Sequence, residues 1–145
     1  MVVTLLEQAT DVRKRWLIAN YAAGELRGAF WGIGSLPSHY PAPPAGRPTA
    51  PTLADDLVSR YLAPVRIDLD TFSPGEVATI ENHGYAMADL AVAAHASHLV
   101  EDGAPPPQVP HGEEPLQRSF VERELAESDR TKLFRRRLDA LLRRR

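Results

Sequence analysis

A mostly α-helical chain with one or two short strands is predicted by three features of the sequence. "SPGE" at Ser73 to Glu76 supplies an N-cap serine, a proline at the first helical position and a glutamate three residues after the cap, ahead of a long run rich in alanine and aliphatics. Near the N-terminus, Leu5, Ala9, Val12, Trp16 and Ala19 recur at steps of four and three, with Arg13, Lys14 and Arg15 around the other face. Prolines are gathered into two stretches, leaving the segments between them free to form helices.

Taken in order, "VVTLLEQATDVRKRWLIANYAAGE" reads as an amphipathic helix that stops at Gly24. "LRGAFWGIG", Leu26 to Gly34, divides large residues with three glycines, which favours a short extended segment with close backbone approach. Residues 35 to 51 hold six prolines and form a loop. "TLADDLVSRYL" is a shorter helix with Thr52 as N-cap, Asp55 and Asp56 suiting its positive end and Pro64 closing it. "VRIDLDTF" leads extended, as a strand, into the capped helix, which runs from Ser73 to about His98. A second proline-rich spacer, "DGAPPPQVPHGEEP", precedes a charged helix beginning near Leu116, where Phe134, Leu138, Leu141 and Leu142 share a face and arginines occupy the rest. Residues 1–100 therefore form the main unit, 101–115 a linker and 116–145 a basic C-terminal helix.

Gly84 is out of place by these rules, because glycine inside a helix costs roughly 1 kcal/mol relative to alanine. It falls on the stripe Val77, Ile80, Gly84, Met87, Ala88, Ala91 and Ala94, so the expectation is close packing against a neighbouring backbone. Gly84→Leu should then destabilise by overpacking, on the order of 1–3 kcal/mol.

At 145 residues and 43% hydrophobic, the chain can build one core. It has no cysteine, which excludes disulfides, thiolate metal sites and a cysteine nucleophile. No run approaches the roughly 18 apolar residues of a membrane span, and Glu7 and Asp11 stand where a signal peptide would be basic and apolar. The expected location is cytoplasmic, with peripheral membrane association as an extension of that reading. Charge is divided unevenly. From Arg130 to Arg145 eight basic residues oppose the single acid Asp139, so the tail carries +7, and the net charge of −2 leaves −9 for everything before it.

Three segments in order resemble the C-terminal part of bacterial patatin-like phospholipases: "GAFWGIG" at Gly28 to Gly34, "RIDLDTFSPGEVATIENHGYAMADLAV" at Arg66 to Val92, and "ERELAESDRTKLF" at Glu122 to Phe134. The resemblance spans about Val12 to Phe134 and implies lipid acyl-ester hydrolysis by a serine-aspartate dyad, with a glycine-rich oxyanion loop. A serine hydroxyl needs a neighbour to take its proton, and the oxyanion needs preorganised donors. The family's own motifs are nevertheless missing. "GIGSL" at Gly32 to Leu36 does not place Ser35 as G-x-S-x-G requires, and the "DGA" at Asp102 follows the "HGYAMAD" helix, whereas the family's catalytic aspartate precedes it. The resemblance thus implies a C-terminal segment without the dyad, inactive alone, that covers a sheet and shapes an acyl pocket. A catalytic half elsewhere is the implied partner; a small helical interaction or membrane-surface module is the alternative.

No catalytic, cofactor-binding or metal-binding residue is assigned from the sequence. His83 and Asp89 are six apart and diverge by about 120° on a helix. His95 and His98 share a face but lack a third ligand, and His39 and His111 lie in proline loops. Asp68 and Asp70 point the same way in an extended stretch with Arg66 beside them as an ion-pair partner. Trp16, Phe30 and Trp31 are expected in the core. The arginine-rich C-terminal helix leaves three seats open: solvent or the chain's own acidic body, a lipid or membrane surface, and nucleic acid, the last not expected because no nucleic-acid module accompanies it. No cofactor is expected.

Overall fold

The computed structural model describes residues 2–42, 47–65, 72–101, 103–105, 107–126 and 128. It is mostly helical: α1 (Val2–Ala22), α2 (Asp55–Leu57), α3 (Pro74–His95) and α4 (Arg118–Leu125) are joined by short 3₁₀ turns and irregular loops. The second helix opens after Ala54, so Thr52 is not its N-cap, and no side chain caps it. Its continuation, Val58–Leu62, widens into a π turn in which the Ala63 N–H donates to the Val58 carbonyl.

Among the described residues there is no strand. The glycine segment 26–34 is extended but has no ladder partner; it is docked through close approach instead. A Cβ on Gly28 would stand 2.8 Å from the Tyr21 hydroxyl oxygen, one on Gly34 3.4 Å from the Ala63 Cβ, and the Tyr40 hydroxyl donates to the Phe30 carbonyl at 2.7 Å. Most of the Val65 to Phe72 stretch, with Arg66, Asp68 and Asp70, lies outside the described residues, as do Asp102 and the arginine-rich tail from residue 129.

Helix ends follow their local chemistry. Gly24, at φ 74°, closes α1 with its N–H on the Tyr21 carbonyl, while the Glu25 and Leu26 N–H groups share the Asn20 carbonyl. The capping box of α3 is formed in full: the Ser73 hydroxyl accepts from the Glu76 N–H at 3.1 Å, and the Glu76 carboxylate accepts from the Ser73 N–H at 2.6 Å. At the other end the helix stops at His95, because Ala96 turns to φ −138° and ψ 36°.

The core consists of two clusters. Leu53, just ahead of α2, with Leu57, Val58 and Leu62 from α2 and its π turn meet Val121 and Leu125 of α4, and a smaller group joins Ala50, Ala86 and Val109; Leu116 packs against both. Close contact between α3 and α4 depends on Gly75, where a Cβ would collide with the Glu124 side chain.

Gly84 plays no such part. Nothing lies within 4 Å of a Cβ built on it, so the expected backbone crossing is absent and the overpacking expected of Gly84→Leu loses its basis. The inward face of α3 is made by Thr79, Asn82, His83, Ala86, Met87, Leu90 and Ala91; of the expected stripe Met87 and Ala91 are buried, while Val77, Ile80, Gly84, Ala88 and Ala94 are only half-buried. Alanines and aliphatics surround this helix, so periodicity cannot choose a face, and polar groups with partners in neighbouring loops choose it instead.

The aromatic expectation is corrected as well. Trp16 is 62% exposed, Val12 65% and Trp31 39%, while Phe30 is half-buried. Helix α1 turns Leu17 and Tyr21 toward the body, leaving the stripe of Val12, Trp16 and Ala19 in solvent.

Candidate functional site

Two arrangements of polar groups stand out, and the first is structural. Asp89, on α3, accepts from the Arg47 guanidinium at 2.8 Å and from the Ala50 N–H at 3.0 Å, clasping the proline loop to the helix. About two turns earlier, the buried Asn82 amide accepts from the His111 N–H at 3.0 Å and donates to the Gly112 carbonyl at 2.6 Å. His111 also pairs with Glu81 on the helix surface. Each of these groups is spent on holding a loop in place.

His83 differs from them. It is 1% exposed, and neither ring nitrogen has a hydrogen-bond partner. Burial lowers its pKa from 6.5 to about 4, which the nearby Ile33 backbone offsets only in part, without reaching bonding geometry. The imidazole is therefore neutral at pH 7. Asp89, engaged with Arg47 and Ala50, is not its partner, and the two remain apart as their spacing predicts. His95 and His98 do not share a helical face, because the break at Ala96 puts His98 on a separate 3₁₀ turn, Ser97–Leu99. Among the described residues no group of three His, Asp or Glu side chains is placed to hold a metal ion.

The second arrangement is a groove of about 790 Å³ between the C-terminal half of α1, the glycine segment, the 3₁₀ turn Pro37–His39 and the end of α3. Ile18, Leu26 and Phe30 give it an apolar floor, and Lys14, Arg27, His39 and His95 contribute basic side chains. The described lining contains no carboxylate. Several of its members are fixed by mutual contact. The Lys14 ammonium sits 5.4 Å from the centre of the Phe30 ring, and the Tyr40 and His95 rings lie 5.9 Å apart. Ser35 also lines the groove, its hydroxyl accepting from the Gly32 N–H at 2.9 Å in a tight turn. Among the described residues no histidine or carboxylate hydrogen-bonds this hydroxyl, so it lacks the base that a nucleophile requires. Such a lining can bind and orient a ligand; it presents no acid-base pair.

Sequence reasoning placed His39 and His95 on the surface, as the structure does, but gave no sign that both border one groove with Lys14 and Arg27. The lining residues come from positions 14 to 95, and only the return of the glycine segment over α1, permitted by Gly28, assembles them.

Compared with models of known protein families, with curated proteins and with solved structures, the chain matches none.

Proposed function

We propose that this chain is the C-terminal, non-catalytic segment of a patatin-like lipid acyl-ester hydrolase, covering a catalytic half that supplies the serine-aspartate dyad. The ordered resemblance of its three segments motivates the reading. The observation that supports it most is apolar surface without an internal partner: Val12, Trp16 and Ile18 on α1, and Tyr85 at 45% exposed beside half-buried Val77 and Ile80 on α3. Exposed apolar patches of this kind mark contact surfaces. The cytoplasm is the corresponding location. Among the described residues no helix is long and apolar enough to cross a membrane.

The test is fluorophosphonate labelling of a native lysate, followed by capture with an antibody raised against residues 52–97 and sizing of the captured species. A labelled species well above 16.0 kDa supports the reading, and an unlabelled species at 16.0 kDa alone overturns it.

A second reading, a helical module that works on a membrane surface without catalysis, draws on the exposed Trp16 flanked by Arg13 and Arg15, and on the basic sequence after residue 129. An exposed indole with guanidinium groups on the adjoining flanks of the helix suits the headgroup boundary of an anionic bilayer. Sedimentation with vesicles containing phosphatidylserine, against vesicles of phosphatidylcholine alone, separates this reading from the first.

A further inference from the structure

We propose that the groove beside α1 is a binding site for an amphipathic organic anion, a single carboxylate or phosphate head carried on an apolar chain. The argument starts from charge. The chain ahead of its basic tail sums to −9, yet the described lining of this groove has Lys14 and Arg27 and no carboxylate. In an acidic body that local excess of cations is a site for a negative group. His39 and His95 stand at the same walls and add donors.

The floor then sets the rest of the ligand. Ile18 is 45% exposed and Leu26 40%, and Phe30 lies beneath the Lys14 ammonium. An inorganic anion would leave this apolar surface wet, whereas an aliphatic chain would cover it. A polyanion such as nucleic acid is a poorer fit, since two permanent cations are few for a phosphate backbone. The Tyr40 hydroxyl, already donated to the Phe30 carbonyl, is committed to the wall. At about 790 Å³ the groove lies within the range of roughly 300–1,000 Å³ usual for small-molecule sites.

The site stands on the groove alone and extends beyond the proposed role as a covering segment. Its test uses the isolated full-length chain, so it fails or succeeds separately from the labelling of a catalytic partner. Isothermal titration calorimetry below the micellar range compares dodecanoate, dodecyl phosphate, dodecyltrimethylammonium and inorganic phosphate. The expected result is saturable binding of one anionic amphiphile per chain, with the cationic amphiphile and inorganic phosphate weaker by about tenfold or more, the worth of one charge-assisted contact or of a buried chain. Whichever of the two anionic amphiphiles binds more tightly identifies the head group. Equal affinity for the cationic amphiphile would overturn the proposal.

Lys14→Gln combined with Arg27→Gln should weaken dodecanoate by about tenfold or more. Both side chains are exposed, and an unchanged helical circular dichroism spectrum confirms that the fold is kept. Ile18→Glu attacks the floor independently and should abolish saturable binding. Wild-type affinity in either variant would overturn the proposal.

Discussion

Along the inner face of α3 polar side chains are buried, Thr79 and Asn82 bonded and His83 not, whereas along α1 the apolar Val12, Trp16 and Ile18 stand in solvent. The Asn82 amide, as donor and acceptor, and the Asp89 carboxylate, as acceptor, bond loops distant in sequence, residues 111–112 and 47–50, and so tie proline-rich segments that could form no ladder of their own. Among the described side chains of α1, Tyr21 packs against Gly28 and Lys14 lies over Phe30. The difference teaches that stability and ligand access are separated in this molecule. The region around α3 carries the cost of burying polar groups, and the α1 region leaves a groove open.

The largest effect expected on the α3 side comes from acid. His83 stays neutral in the fold down to about pH 4, while in the unfolded chain it takes up a proton from about pH 6.5 downward. Between those values the unfolded chain binds more protons, so stability is full above pH 6.5 and falls by about 3 kcal/mol as pH drops to 4. Urea unfolding across that window measures it. His83→Leu should flatten this part of the profile and leave stability at pH 7 equal or higher, because no hydrogen bond is lost. A slope unchanged in the variant would assign the acid sensitivity to other groups.

Next comes the clasp. Asp89→Ala leaves the buried Ala50 N–H without its acceptor and Arg47 without its counter-ion, and should cost about 2 kcal/mol in denaturant unfolding. A loss below about 0.5 kcal/mol, the level of an ordinary surface change, would mean that the loop is not anchored there. Smaller still, and of opposite sign, is Gly84→Ala: with open space around the new Cβ, helix propensity alone should raise stability by up to about 1 kcal/mol. A melting temperature that falls would place an unseen neighbour against the outer face of α3. The smallest effect belongs to α1, where Trp16→Gln should change unfolding free energy by less than about 0.5 kcal/mol. A larger loss would show that the helix is covered in solution and would erase the contrast between the two regions.

How far the sequence disclosed this arrangement depended on whether a feature is local. The capping box at Ser73 and Glu76, the stop at Gly24 and the close of the second helix before Pro64 are all decided within one turn of chain, and all can be read directly. Which face of a helix is covered is decided elsewhere. The periodicity in α1 correctly outlines a stripe through Val12, Trp16 and Ala19 but cannot say that Leu17 and Tyr21 would be the side turned inward. On α3 the apolar stripe was only in part the covered face, Met87 and Ala91 being buried but Val77, Ile80 and Gly84 not, since Asn82 and Thr79 turn inward with partners of their own, the Thr79 hydroxyl bonding the Gly75 carbonyl one turn back. The groove was illegible for the same reason: its charges are far apart in sequence and meet only in the folded chain.

The bracket formed by Asn82 has a consequence for how this protein can vary. Its amide hydrogen-bonds to main-chain atoms, the N–H of His111 and the carbonyl of Gly112. Main-chain atoms are the same for nearly every residue type, so the loop is registered by counting positions and not by reading identities. Apart from the buried Val109, a proline at 111, which would lack the N–H, and the left-handed backbone of Gly112 at φ 69°, the bracket itself sets no demand on composition. An insertion or deletion of one residue cannot be absorbed so easily, because it offers the amide the wrong pair of groups. The loop is tolerant in spelling and strict in length, which makes its tip a place to graft a short recognition sequence by substitution.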